Sequence, residues 1–216
     1  MRRAAIRVPR AAIAAVFAAA VLSAGAAPAR PFATNIDTVT IERAIALGRS
    51  TDAAARQRFH GAYVVRLNDS LLDSLEIVTE FRRVVLATED RARAGDIDWG
   101  ARQAADMLQP WRDKVALILH ATFPPNNTYR AMPRFDIVLY GRPQAGAAGR
   151  IEPVDLLATP QYVSGQPAPP GTPILGGLVQ ATFAARALNP RAVYLGGIIF
   201  EGREVRRVEI DFGRIE

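Results

Sequence analysis

Two stretches in the second half of the chain decide its fold class. Residues 115–123 read VALILHATF, and residues 135–140 read FDIVLY. In both stretches large apolar residues recur at every second position, which is the period of a strand with one buried face. The intervening residues 124–133 form a loop of a length that lets neighbouring strands pair antiparallel. The sequence therefore predicts two strands that can pair antiparallel, and it leaves their order in the sheet open.

Further β patterns follow towards the end of the chain. Strands are predicted over residues 178–183, 193–200 and 204–212, with a hairpin turn at residues 201–203 between the last two. Val205 breaks the alternation of the last strand, so a bulge is expected near Arg206 and Arg207. Prolines and glycines crowd residues 141–173, which predicts one long loop over that range.

The first half of the chain carries mainly helical patterns. Helices are predicted over residues 39–47, from a cap at Ser50 or Thr51 to Phe59, from about 82 to Gly95, and over residues 99–108. Strands are predicted over residues 62–67 and 75–81. Helices therefore gather early and strands late, without a repeating βαβ unit. This order indicates the α+β class, with short N-terminal helices followed by an antiparallel sheet or a sandwich-like β region.

The first 26 residues have the three parts of a secretory signal peptide. Four arginines and no acid lie in residues 1–10, an uncharged apolar run follows at 11–23, and Ala24-Gly25-Ala26 offers a cleavage site. The alternative is an uncleaved membrane anchor, but the run is shorter than the roughly 20 residues that a spanning helix needs. We expect residues 27–216 to form a single α+β domain, without a transmembrane segment, in the periplasm or outside the cell.

The charge balance argues against nucleic acid as a partner. The chain has 27 basic and 21 acidic residues, and four of the basic ones lie in the predicted signal peptide, which leaves 23 against 21. A nucleic-acid-binding surface would require a larger basic excess. The chain has no cysteine. An exported domain of this composition must therefore rely on its hydrophobic core, since disulfides are excluded.

The candidate catalytic residues are the two histidines, His60 and His120. Imidazole serves as a general base or as a metal ligand, but neither histidine lies in a metal-binding motif, and we expect no metal and no cofactor. No nucleophile elbow or phosphate-binding loop is present. A hydrolase acting on envelope polymers would combine one histidine with a carboxylate such as Asp136 or Glu76. Glu76 and Glu80 share one strand parity, on a face expected to lie in water.

The loop at residues 123–133 is the first predicted binding site, and the long loop at residues 141–173 is the alternative. Prolines stiffen the first loop, and Asn126, Asn127, Tyr129 and Arg130 offer amides, a ring and a guanidinium. The other interpretation of the first loop is a well-packed connection whose residues contact only each other. The leading hypothesis is a soluble, non-enzymatic binding or interaction module of the cell envelope, with an envelope protein or a glycan as partner. The sequence leaves open whether the protein is instead the hydrolase described above, or a purely structural protein.

Overall fold

The computed structural model describes residues 32–141, 149–162 and 171–216. The predicted signal peptide lies outside this range. The described residues contain four α-helices: α1 (Thr38–Gly48), α2 (Ala53–Ala62), α3 (Glu80–Arg93) and α4 (Ala101–Leu108). They also contain nine strands: β1 (Val64–Arg66), β2 (Leu72–Val78), β3 (Lys114–Thr122), β4 (Phe135–Gly141), β5 (Arg150–Ile151), β6 (Asp155–Gln161), β7 (Gly176–Ala184), β8 (Val193–Phe200) and β9 (Arg203–Asp211).

The strands form two antiparallel sheets that share one hydrophobic core. The five-stranded sheet has the order β1-β2-β3-β7-β6, and the four-stranded sheet has the order β5-β4-β8-β9. Leu117 and Leu119 of β3, Ile137 and Leu139 of β4, and Phe183 of β7 are fully buried in this core. The protein therefore has an α+β fold, with its helices mostly in the N-terminal half, as the sequence predicts.

β3 and β4 do not pair with each other, although the loop between them would permit it. β3 pairs with β2 and β7, whereas β4 pairs with β5 and β8 in the other sheet. The segment between them crosses from one sheet to the other. Alternation shows that each strand buries one face, but it gives the same pattern whether the partner lies beside the strand or in a facing sheet.

The predicted long loop at residues 141–173 contains two strands, β5 and β6. β6 pairs with β7 along its whole length and forms one edge of the five-stranded sheet. Nearly all of its residues are exposed, so the alternation that reveals a strand is absent from its sequence. Pro160 fits at this edge because an edge strand need not donate hydrogen bonds on both sides.

The predicted strand at residues 75–81 is wrong at its C-terminal end. β2 stops at Val78, and Thr79 caps α3 by accepting a hydrogen bond from the Arg82 amide at 3.2 Å. The carboxylate of Glu80 therefore enters the first helical turn and is only 2% exposed, so it does not lie in water. The second helix is also capped one residue later than predicted, because the Asp52 carboxylate accepts from the Ala55 amide at 2.9 Å.

The predicted bulge in the last strand is confirmed. Ile198 pairs with Arg206 and Ile199 pairs with Glu204, so Val205 is an extra residue in β9. This extra residue explains why Val205 breaks the alternation of apolar residues in the sequence. Gly202 supplies the positive φ of 79° that the turn before β9 requires.

The helices α1, α3 and α4 lie at one end of the five-stranded sheet, which we call the helical end, and the predicted binding loop lies at the other, which we call the loop end. α1, α3 and α4 form a second core around residues such as Ile41, Val84 and Leu108, next to the end of β2 from which α3 begins. At the other end, backbone hydrogen bonds join Thr122 to Leu71, at 3.0 Å, and residue 201 to residue 134, at 2.9 Å. None of the described helices has the length and apolar character needed to span a bilayer.

Candidate functional site

Asn127 organises the predicted binding loop. Its amide nitrogen donates to the carbonyl oxygens of Pro124, at 2.8 Å, and of Ile174, at 3.0 Å. Its amide oxygen accepts from the backbone N–H of Tyr129 at 2.9 Å. These bonds use both donor hydrogens of the side chain, so the first role of Asn127 is to hold the loop against the start of β7.

Tyr129 is held in place but remains accessible. Its ring packs against that of Phe123 with the centroids 4.9 Å apart, and its backbone oxygen accepts from the Ile174 amide at 2.9 Å. The residue is nevertheless 36% exposed. The hydroxyl group of Tyr129 and the side chain of Asn126 make no hydrogen bond with any other described residue.

Arg130 connects the loop to the chain before β7. One terminal nitrogen donates to the carbonyl oxygen of Gly171 at 2.7 Å. Gly171 has a φ of 91°, and a Cβ atom there would lie 2.6 Å from the same Arg130 nitrogen. Arg130 therefore packs closely over a glycine and makes a fixed contact, while the residue as a whole stays exposed.

Three of the four predicted binding residues line one cleft. Asn126, Asn127 and Tyr129 surround a cleft of about 410 Å³, which we call the aromatic cleft, whereas Arg130 does not line it. Leu71 and Phe200 complete its apolar wall, and sequence reasoning missed both. Phe200 packs against Phe135. These two aromatic residues at the ends of predicted strands are the sequence feature that could have indicated Phe200 as a cleft residue. The sequence does not show that these strand ends meet the loop.

A second cleft contains His120. It has a volume of about 520 Å³ and is lined mainly by polar side chains, so we call it the polar cleft. Its lining includes Arg66 of β1, Asp73, Ser74 and Glu76 of β2, and His120 of β3. Ser74 is the cross-strand partner of both Arg66 and His120, which places these three side chains on one face of the sheet.

A bulge in β2 adds Asp73 to the polar cleft. Leu72 pairs with Ala121 while Ser74 pairs with His120, so Asp73 is the extra residue. A bulge redirects a side chain that regular alternation would send to the opposite face. The Asp73 carboxylate consequently lines the cleft, where it accepts from the Thr122 hydroxyl at 2.5 Å.

A chain of charged side chains fixes His120. Its Nε2 atom lies 3.1 Å from one carboxylate oxygen of Glu76, and the other oxygen accepts from Arg82 at 2.9 Å. Arg82 is only 3% exposed and also donates to the Ile77 carbonyl at 2.6 Å. Burial lowers the pKa of the Arg82 guanidinium, and the negative charge of Glu76 opposes that effect. Arg82 therefore fixes the Glu76 carboxylate, and Glu76 in turn fixes the imidazole ring of His120.

The other catalytic candidates lie apart from this cleft. His60 of α2 lies 2.9 Å from the Glu89 carboxylate of α3, so the two histidines contact different acids. Asp136 lies on β4 in the other sheet and pairs with Arg134 at 3.1 Å. Within the described ranges, no three histidine, cysteine or acidic residues are arranged to hold a metal ion.

The fold and the clefts together define an α+β protein with two antiparallel sheets, one cleft lined mainly by loop residues and one cleft lined mainly by the strands β1, β2 and β3. Comparisons of the chain with known protein families, curated proteins and solved structures found no match. The function must therefore be argued from the residues of the clefts.

Proposed function

We propose that this protein is an exported, non-enzymatic binding module whose ligand occupies the aromatic cleft. The observation that carries the proposal is the state of Tyr129. Its ring is fixed against Phe123, yet the side chain remains open to a cleft walled by Phe200 and Leu71. An aromatic side chain that is already ordered loses little conformational entropy when a ligand packs on it.

The loop that carries Tyr129 is also supported by the scaffold. Asn127 anchors it internally, and Arg130 joins it to Gly171, so the loop has several fixed points. Binding residues on loops held by a rigid sheet are a common arrangement. The side chain of Asn126, at the rim of the cleft, can then orient a ligand by hydrogen bonds.

The partner follows from this chemistry and from the predicted export. An apolar wall with an aromatic ring and a free amide suits an envelope protein or a glycan. The proposed location in the periplasm or outside the cell rests on the pattern of residues 1–26. Cell fractionation and N-terminal sequencing of the mature chain test it, and a full-length protein recovered from the cytoplasm would contradict export.

The binding proposal is tested by crosslinking in intact cells followed by identification of the attached molecule. The variant Tyr129→Ala should reduce capture at least about tenfold, because it removes the central aromatic contact. The double variant Tyr129→Ala, Arg130→Ala should behave similarly while keeping nearly the wild-type stability. Tyr140→Ala is the matched control, because Tyr140 lies on β4 outside this cleft and contacts Glu204. Full capture by the Tyr129 variant would contradict the proposal.

A hydrolase acting on envelope polymers is the second candidate, and one observation favours it. His120 shares the polar cleft with three carboxylates, those of Asp69, Asp73 and Glu76. One oxygen of the Glu76 carboxylate contacts His120 and the other accepts from Arg82. These contacts favour a positioning role for Glu76 over proton transfer. Incubation with purified envelope polymer decides between the two. Soluble fragments released by the wild type and lost in His120→Ala would support hydrolysis, and no release by the wild type would remove this candidate.

A further inference from the structure

The aromatic cleft and the polar cleft are both lined by residues of the β1–β2 loop. Asn68 and Asp69 line the polar cleft, and the next two residues, Ser70 and Leu71, line the aromatic cleft. Consecutive Cα atoms are only about 3.8 Å apart, so the two clefts border the same short loop, although no residue lines both of them. A ligand that is long enough can therefore contact both.

The boundary between the clefts is well fixed. The Leu71 carbonyl accepts from the Thr122 amide at 3.0 Å, and the Thr122 hydroxyl donates to Asp73 at 2.5 Å. The Asp69 carboxylate accepts from the Leu71 amide at 3.0 Å, which closes the loop on itself. These bonds join β2, β3 and the loop, so the two clefts keep a constant relation to each other.

Three polar side chains of the polar cleft are unpaired among the described residues; Arg66 and Asn68 are exposed, and Ser74 is 6% exposed at the cleft wall. Arg66, Asn68 and Ser74 make no side-chain hydrogen bond or ion pair with any residue in the described part of the chain. Together they offer a guanidinium, an amide and a hydroxyl beside the Asp73 carboxylate and the His120 ring. This mixture of donors and acceptors matches hydroxyl groups, which both donate and accept hydrogen bonds.

The charge of the polar cleft favours a neutral ligand. Asp69, Asp73 and Glu76 are acidic, but the Glu76 carboxylate is paired with Arg82, and Arg66 adds a further positive charge. Charges of both signs therefore lie close together, without the single-sign field that would attract a polyanion or a polycation.

The shape of the site favours a glycan over a peptide. One common way for an extended peptide to bind is to add a strand to the edge of a sheet. β1, the edge strand beside the polar cleft, has only three residues, which gives a peptide few backbone groups to pair with. A sugar chain needs no such edge, because its rings pack on aromatic side chains and its hydroxyls bind polar ones.

We infer that the two clefts are subsites of one extended site for a linear, neutral glycan. This inference rests on the proposed binding function and deepens it. Sugar rings pack on Tyr129 and Phe200 in the aromatic cleft. The sugars that follow bind Arg66, Asn68 and Ser74 in the polar cleft. The contacts of Glu76 with Arg82 and with His120 hold the wall of this cleft in place.

The test measures how affinity depends on glycan length. Calorimetric titrations of the purified mature protein use linear oligomers of glucose and of N-acetylglucosamine, as disaccharides and hexasaccharides. A disaccharide fills one cleft, whereas a hexasaccharide reaches both. The hexasaccharide of the preferred series should bind at least about tenfold more tightly than its disaccharide, because it adds a second set of contacts.

Variants separate this inference from the binding proposal itself. Replacing Arg66 by alanine and Asn68 by glycine should weaken the hexasaccharide to the affinity of the disaccharide and leave the disaccharide unchanged. Both residues are exposed, and glycine fits the φ of 48° at position 68, so folding should be preserved. Tyr129→Ala should weaken both oligomers. Equal affinities of the two lengths for the wild type, or a hexasaccharide affinity insensitive to the Arg66 and Asn68 changes, would overturn the extended site while leaving the aromatic cleft intact.

The absence of binding by every oligomer would overturn the glycan inference. The crosslinking experiment then decides the proposed function separately. A protein partner that is captured by the wild type and lost in Tyr129→Ala would preserve the binding module with a different occupant.

Discussion

A buried carboxylate at the helical end and a partly exposed tyrosine at the loop end differ in how completely their polar atoms are hydrogen-bonded within the fold. At the helical end, the buried Glu80 carboxylate accepts hydrogen bonds from the amides of Asn35, Ile36 and Asp113 and an ion pair from Arg112, at 2.9–3.2 Å. At the loop end, Tyr129 stays partly exposed with no partner for its hydroxyl among the described residues. The comparison indicates that polar groups whose hydrogen bonds are all made within the fold stabilise it, whereas polar groups without such bonds are available to a ligand.

The largest effect should come from removing the carboxylate at the helical end. Glu80→Ala leaves three backbone donors and the Arg112 guanidinium without their acceptor, which should cost about 3–5 kcal/mol in the free energy of unfolding. Urea unfolding measures the loss. Glu152→Ala is the control, because Glu152 forms an exposed ion pair with Arg150 and its removal should leave the unfolding curve nearly unchanged. Similar curves for both variants would contradict a structural role for Glu80.

A second effect should appear at alkaline pH, again at the helical end. Burial raises the pKa of the Tyr63 hydroxyl from 10.0 to about 12. The unfolded tyrosine loses its proton first, so its stabilising contribution is complete below pH 10 and is lost as the pH rises to about 12. A shift of this size corresponds to about 2–3 kcal/mol.

The variant Tyr63→Phe isolates this effect. Burial also lowers the pKa of Arg83 to about 10, so both groups change protonation in overlapping ranges. Subtracting the unfolding free energies of the variant from those of the wild type removes the contribution of Arg83. A difference that stays constant from pH 9 to pH 12 would contradict the predicted role of Tyr63.

An intermediate effect should come from a glycine beside the clefts. A Cβ atom on Gly176 would lie 2.2 Å from the Ala121 carbonyl oxygen, so Gly176→Ala must push β7 away from β3. We expect a loss of about 1–3 kcal/mol. Gly61→Ala is the matched control, because a Cβ atom on Gly61 would meet no neighbouring side chain within 4 Å. This pair tests whether the base of the loop end is as tightly packed as the helical end.

The smallest effect on stability should come from Tyr129→Ala, although it should be the most damaging to binding. The variant loses the packing on Phe123 but leaves no buried polar group unpaired, so we expect less than about 1 kcal/mol. Thermal unfolding measures this next to the capture experiment. A stability loss as large as that of Glu80→Ala would mean that Tyr129 serves the fold, and the contrast between the two ends would fail.

Much of the fold could be predicted from local patterns. The alternation in β3, β4, β8 and β9 identified these strands, and the parity break at Val205 marked a real bulge. The order of helices and strands indicated the α+β class. β6 could not be found in this way, because an edge strand exposed on both faces lacks the apolar alternation by which strands are recognised.

The candidate site was only partly predictable. Asn126 and Asn127 are neighbours of the same residue type, yet Asn127 has its amide bonded within the fold, whereas Asn126 has no such bond among the described residues. Leu71, Phe200 and Arg66 reach the two clefts from other strands and loops. Sequence spacing contains no information on which of these segments meet in space.

The sequence by itself determined the class of fold, the lack of disulfides and where most strands lie, because these depend on composition and on the period of neighbouring side chains. Tertiary structure alone decided which sheet each strand joins, that Glu80 is buried and that two clefts share the β1–β2 loop. The physical reason is that hydrogen-bond saturation and cleft formation depend on residues far apart in the chain, such as Glu80 and Asn35, whose amide donates to that carboxylate at 3.0 Å.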